Sequence, residues 1–137
     1  MAPKIAAVSL NPEIIIPETT YLDNGLVYIS DAAQHSGKLT YKNYWTWQAQ
    51  FKALLNGFDL LGYVDGSKQC PPATVMKNNQ AASNPDYVLW YRQDQLVLHA
   101  ILTCISQEDL LYKLVAKRTG VETAEAAWNM ISRILEH

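Results

Sequence analysis

The chain has 137 residues, 49% of them apolar, and a formal net charge of −2. That length suits one compact domain, and the apolar share excludes a disordered tail. Eleven basic residues against thirteen acidic ones leave no excess to neutralise a phosphate backbone, so strong nucleic-acid binding by this chain alone is not expected.

No apolar run approaches the ~20 residues of a membrane span. Residues 1–10 hold a short apolar patch that meets Asn11-Pro12 at once, unlike the longer stretch of a secretory signal. Cys70, in a Pro-rich loop, and Cys104, near the end of an apolar helix, read as separate thiols, and the expected setting is reducing and cytoplasmic. Leu135-Glu136-His137 matches the start of a vector-encoded histidine tag as well as a native end, so His137 carries no functional weight.

Residues 1–37 form a leader. Ile14-Ile15-Ile16 lies between Pro12 and Pro17, Leu26-Val27-Tyr28-Ile29 is a second apolar run, and Asp23-Asn24-Gly25 between them is a turn signal. An extended arm or small hairpin is expected; whether it folds onto the body or exchanges between chains stays open. Gly37 closes the leader. Thr40 is an N-cap candidate for a first helix whose Trp47, Phe51, Leu54 and Leu55 share one face. Asn56-Gly57 stops it. A short apolar turn over 58–64 ends at Asp65-Gly66, and residues 67–83, with Pro71-Pro72 and Asn78-Asn79, read as a long loop and a candidate contact surface.

Asn84-Pro85 opens a helix of about twenty residues carrying Tyr87, Trp90, Tyr91, Asp94, Leu98, Ile101, Leu102 and Ile105. Residues 106–109 make a capping-box-like restart through Leu110, Leu111, Leu114 and Val115, and Thr119-Gly120 breaks it. Thr123 caps a last helix with Ala124, Ala127, Trp128, Ile131, Ile134 and Leu135 near one stripe. The fold class is all-α: a compact bundle of four to five helices over 38–135, with the leader over 1–37.

Three blocks carry a resemblance. Lys38-Leu39-Thr40, Asn43-Tyr44, Trp47, Gln50 and Ala53-Leu54-Leu55 form the first, continued by residues 57–66. Asn84-Pro85-Asp86-Tyr87, Trp90 and Gln93-Asp94-Gln95-Leu96 form the second, and Thr123-Ala124 with Ala127-Trp128 the third. In this order and spacing, across roughly residues 38–134, they resemble the Gag polypeptide of plant copia-type LTR retrotransposons. The resemblance implies a capsid-type helical domain that self-associates into virus-like particles around the element's RNA. It implies a core motif at Trp47, Phe51, Trp90 and Trp128, with the three tryptophans meeting. The sequence departs from complete Gag: it holds no Cys-x-x-Cys-x4-His-x4-Cys knuckle, no basic tail and no Asp-Ser/Thr-Gly protease signature. RNA is therefore expected only indirectly, through a region outside this chain.

Catalysis needs converging ligands or a nucleophile–base pair. His35, His99 and His137 fall in different elements; His99 reads as a packed or interface histidine, and its i, i+5 spacing to Cys104 does not make a dyad. Asp94 reads as a solvated or interhelical polar contact before a buried acceptor, and Glu108 and Asp109 favour their helix N-terminus. Gly57, Gly62 and Gly66 form no phosphate cradle. No enzyme, cofactor or metal site is expected. Trp45 lies off the buried face beside Tyr41 and Tyr44, and exposed aromatics are enriched at interfaces, so Tyr41, Tyr44 and Trp45 are the candidate partner surface. The expected partner is the chain itself, through weak multivalent contacts. The alternative is a domesticated or truncated Gag fragment that inhibits capsid assembly or binds a host protein. RNA binding around Lys68 and Lys77 is disfavoured on charge.

Overall fold

The computed structural model describes residues 21–29, 38–115 and 121–136. The Ile14-Ile15-Ile16 run, Gly37, the Thr119-Gly120 break, His35 and His137 lie outside them. The described residues hold five α-helices and one β-hairpin: α1 (Tyr44–Gly57), α2 (Gly62–Asp65), β1 (Thr74–Lys77), β2 (Gln80–Ser83), α3 (Pro85–Thr103), α4 (Glu108–Val115) and α5 (Ala124–Leu135). The fold is mostly helical rather than all-α.

Helix α1 buries Tyr44, Trp47, Phe51 and Leu55, a stripe with spacings of three and four that keeps one face toward the core. It begins at Tyr44, not after Thr40. Thr40 instead organises the turn before the helix: its Oγ1 accepts from the Lys42 N–H at 3.2 Å, while Asn43 Oδ1 accepts from the Thr40 N–H at 2.7 Å and Asn43 Nδ2 donates to the Lys38 carbonyl at 2.7 Å. The stop at Gly57 falls where the sequence places it.

Helix α2 is a single turn ending on Gly66 in the left-handed region, φ 81°. That conformation is one glycine adopts without strain, so glycine permits the turn; a Cβ there would also meet the end of the exposed Glu125 side chain, which can swing aside. Beyond it the expected loop contains β1 and β2, paired antiparallel with Lys77 opposite Gln80. Asn78 and Asn79 have φ of 53° and 64°, the left-handed pair that a two-residue type I′ turn requires and that asparagine tolerates.

Helix α3 starts as its sequence dictates, with Asn84 Oδ1 accepting from the Asp86 N–H at 3.1 Å and Pro85 following it. Its buried residues, Gln93, Asp94, Val97, Leu98, Ala100 and Ile101, again fall on one side. Ser106 does not cap α4. Its hydroxyl donates to the Leu39 carbonyl at 3.2 Å, because Leu39 and Ile105 form a short parallel bridge there. Thr123 does cap α5, accepting from the Ala126 N–H at 3.1 Å.

Helix α5 is the hub. It packs against α2, α3 and α4, and its Trp128 ring sits 5.5 Å from Trp47 and 6.0 Å from Phe51. Part of the leader joins this core: Leu26, Val27 and Ile29 are buried, and Tyr21 bridges Val27 around a tight turn at Asp23–Gly25. Gln93, itself buried, holds that segment by accepting from the Val27 N–H at 2.8 Å and donating to the Val27 carbonyl at 2.9 Å.

Candidate protein-interaction surface

A helix that opens on Tyr-Trp-x-Trp must turn one of its three aromatics away from the core, because successive residues are about 100° apart. In α1 that residue is Trp45, 61% exposed. Its ring rests edge-on against Tyr44 at 5.1 Å, so the outward indole stands on a packed base. Tyr41, in the turn before α1, is 42% exposed. Its hydroxyl donates to Asp109 Oδ2 at 2.6 Å, and Lys113 Nζ lies 5.8 Å from its ring centre. The hydrogen bond to Asp109 raises the Tyr41 hydroxyl above its ordinary pKa and holds the Asp109 carboxyl below the ordinary carboxylate value. Tyr41 is thereby fixed against α4, which exposes Tyr112 (70%) and Val115 (57%).

Tyr44 does not belong to this surface. It is only 4% exposed, because it lies three residues before Trp47 on the same stripe. Its hydroxyl donates to Glu136 Oε1 at 3.2 Å and accepts from Gln48 Nε2 at 3.0 Å. Burial is the first cause of its raised pKa. Tyr112, like Tyr21 (55%) and Tyr91 (48%), is an exposed aromatic that sequence reasoning did not single out. The signal was present: Leu110 and Leu114 are the buried i, i+4 pair of α4, and Tyr112 lies midway between them on the opposite side.

The core motif divides. Trp47, Phe51 and Trp128 form one aromatic cluster, with Trp47 and Phe51 stacked at 5.0 Å. Trp90 does not meet Trp47 and Trp128 there. It lies half-buried against Tyr63, ring centres 5.5 Å apart, and its Nε1–H donates to the Lys68 carbonyl at 2.8 Å. An indole N–H needs an acceptor, and the segment after α2 supplies one that the dry centre does not.

Asp94 is buried, at 1% exposure. Its Oδ1 accepts from the Ala124 N–H at 3.2 Å and its Oδ2 from Gln95 Nε2 at 3.2 Å. It is both an interhelical contact and a buried acceptor, satisfying the first N–H of α5. Burial raises its pKa, opposed by those two hydrogen bonds and reinforced by Glu125. His99 is exposed, with its ring 6.4 Å from Tyr28. Cys70 is exposed and Cys104 buried. Among the described residues no three of His, Cys, Asp and Glu cluster as metal ligands would, and no helix is long and apolar enough to cross a membrane. A cleft of about 550 Å³, lined in part by Val27, Phe58, Tyr63, Lys68, Trp90 and Gln93, includes neither Tyr41 nor Trp45 in its wall.

Over 122 residues, 89% of the chain, it is 35% identical to the retrovirus-related Pol polyprotein from transposon RE2 of Arabidopsis thaliana and 34% identical to that from transposon RE1. The chain belongs with the copia-type retrotransposon polyproteins. It spans 8% of the length of each of these two relatives. The match is consistent with the Gag-region resemblance carried by the Lys38–Leu55, Asn84–Leu96 and Thr123–Trp128 blocks. No protein-family model matches this copia-type chain, and no solved structure is similar to it.

Proposed function

We propose that this copia-type chain is a Gag capsid-type domain whose work is architectural: it binds further copies of itself to build virus-like particles in the cytoplasm, and catalyses nothing. RNA enters only through a region outside the chain. The observation that carries the proposal is the pair Tyr41 and Trp45, exposed at one end of α1 and braced by Asp109 and by Tyr44. Rigid, partly exposed aromatics are what interface hot spots are made of. Descent from a retrotransposon polyprotein makes another copy the natural partner, and the near-neutral charge makes nucleic acid a poor one.

Capsid contacts are individually weak and gain strength by repetition. The test is therefore light scattering coupled to size-exclusion chromatography over a wide range of concentration and salt, followed by negative-stain microscopy of the most concentrated sample. Growth into dimers, larger oligomers or particles is expected, with Trp45→Ala shifting the series toward monomer. A strict monomer under high salt, crowding and in the full-length polyprotein would overturn the proposal.

A further inference from the structure

The hairpin is the part of the fold the helical core does not use. Every residue of β1 and β2 is exposed except half-buried Ala82; Met76 is 71% exposed and Val75 39%. With a two-residue turn, Lys77 and Gln80 form a hydrogen-bonded pair, and such pairs alternate along an antiparallel ladder. Val75–Ala82 is then the next bonded pair, and the Asn84 N–H, donating to the Ala73 carbonyl at 3.0 Å, continues the series. Thr74 and Met76 fall between these pairs and turn their N–H and C=O groups outward. Soluble proteins guard such an edge with charges, proline or a bulge. Residues 74–83 contain one charge, Lys77, beside the turn.

We propose that the outer edge of β1 is a second self-association contact, pairing antiparallel with β1 of another copy across a two-fold axis at Val75. The proposal rests on the assembly reading above. In this register Thr74 faces Met76 of the second copy, and Met76 faces its Thr74. Each pair exchanges two backbone hydrogen bonds, four in all. Val75 meets its own equivalent. Lys77 falls opposite Ala73, about 14 Å along the strands from the other Lys77, so the one charge does not repel itself. Pairing stops at Pro72, which has no N–H and whose carbonyl already accepts from Asn84 Nδ2 at 2.8 Å.

The occupant is a second copy for two reasons. The edge is complementary to itself, in charge as well as in hydrogen bonding. A two-fold contact alone also closes as a dimer, so continued growth needs a second, different contact on every chain; the Trp45 surface and the β1 edge together supply two. Four hydrogen bonds over one short strand fall well below the roughly 1,000 Å² of a lasting interface, which suits a contact that acts only when repeated.

The test uses the full chain. Amide hydrogen exchange is followed at dilute and at assembling concentrations, and the Thr74 and Met76 amides are expected to gain protection with concentration. Met76→Pro removes an outward N–H that the hairpin's own ladder does not use, and is expected to weaken assembly about tenfold or more. Val75→Lys and Val75→Glu place like charges across the axis, and each is expected to weaken it about threefold or more. An equimolar mixture of the two restores assembly, which a folding defect in either variant would not allow. Assembly that depends on Trp45 while Thr74 and Met76 stay unprotected, or a charge mixture that fails to recover, overturns the hairpin contact and leaves the assembly reading standing. Absence of any concentration-dependent association overturns both.

Discussion

Gln93 and Asp94 are neighbours on α3, both buried and both polar, and each answers a backbone group from a distant part of the chain. Gln93 offers one acceptor and one donor to Val27, as a neighbouring strand would. Asp94 offers a carboxylate oxygen to the Ala124 N–H. The Asp94 roles were among the sequence readings without being singled out, and the Gln93 role was not legible, because a polar residue beside a helical stripe is as often solvated as buried, and only the tertiary path of residues 21–29 and of α5 decides it. The Asp94 carboxyl titrates above its ordinary value because burial penalises its charge. The folded state therefore holds this proton more tightly than the unfolded chain, so the stabilisation is full below the unfolded pKa of about 3.9 and is lost as pH rises through the raised folded value. Asp94→Asn keeps an acceptor for Ala124 and cannot ionise. Its stability relative to the parent is expected to rise across that window and then level off, measured by urea denaturation at a series of pH values. A relative stability that falls with pH would show that Asp94 serves as a charge at the start of α5. Asp94→Ala leaves the Ala124 N–H without its acceptor and is expected to cost about 1–3 kcal/mol.

Among the elements, those fixed by local chemistry are the ones the sequence announces. Asn84-Pro85 and Thr123 cap their helices as expected, and Gly57 and Gly66 end α1 and α2. Thr40 and Ser106 carry the same kind of signal, yet each turns to the Leu39–Ile105 bridge or the turn beside it. A hydroxyl competes for whatever backbone group the fold brings near, and a bridge between residues 66 apart is invisible locally. The hairpin was missed for a different reason. Its strands show no apolar alternation, since neither face is buried, and Asn78-Asn79 signals a turn without saying what flanks it. Thr123→Ala removes the acceptor for the Ala126 N–H at the hub helix. A loss of about 1 kcal/mol is expected in chemical denaturation, with α5 amides losing hydrogen-exchange protection before those of α3. Equal loss of protection in both helices would mean that α5 does not open separately.

At the scale of the whole molecule, the aromatic residues divide between building the fold and facing outward, and α1 holds both kinds two residues apart. Trp47 is 2% exposed and stacked on Phe51, with Trp128 closing the cluster from α5. Trp45 is 61% exposed and rests edge-on against Tyr44. Helical periodicity separates these two and also places Tyr44, three residues before Trp47, on the buried stripe. The expectation that put Tyr44 on the partner surface grouped it with its sequence neighbours, and the expected meeting of Trp90 with Trp47 and Trp128 came from the family resemblance. The two errors differ in cause: the face of Tyr44 follows from its spacing to Trp47, whereas the neighbours of Trp90 depend on how the helices cross. The division predicts two different failures. Trp47→Ala removes a fully packed ring and is expected to cost about 3–5 kcal/mol, so any loss of assembly in that variant reports unfolding. Trp45→Ala should leave the denaturation midpoint nearly unchanged, within about 0.5 kcal/mol, while the concentration needed for association rises severalfold. Measuring both quantities on both variants separates fold from contact. If Trp45→Ala lowered stability as much as Trp47→Ala, the exposed indole would be part of the scaffold. The self-association surface would then have to be sought at Tyr112 and Val115, the exposed apolar residues of the helix that braces Tyr41.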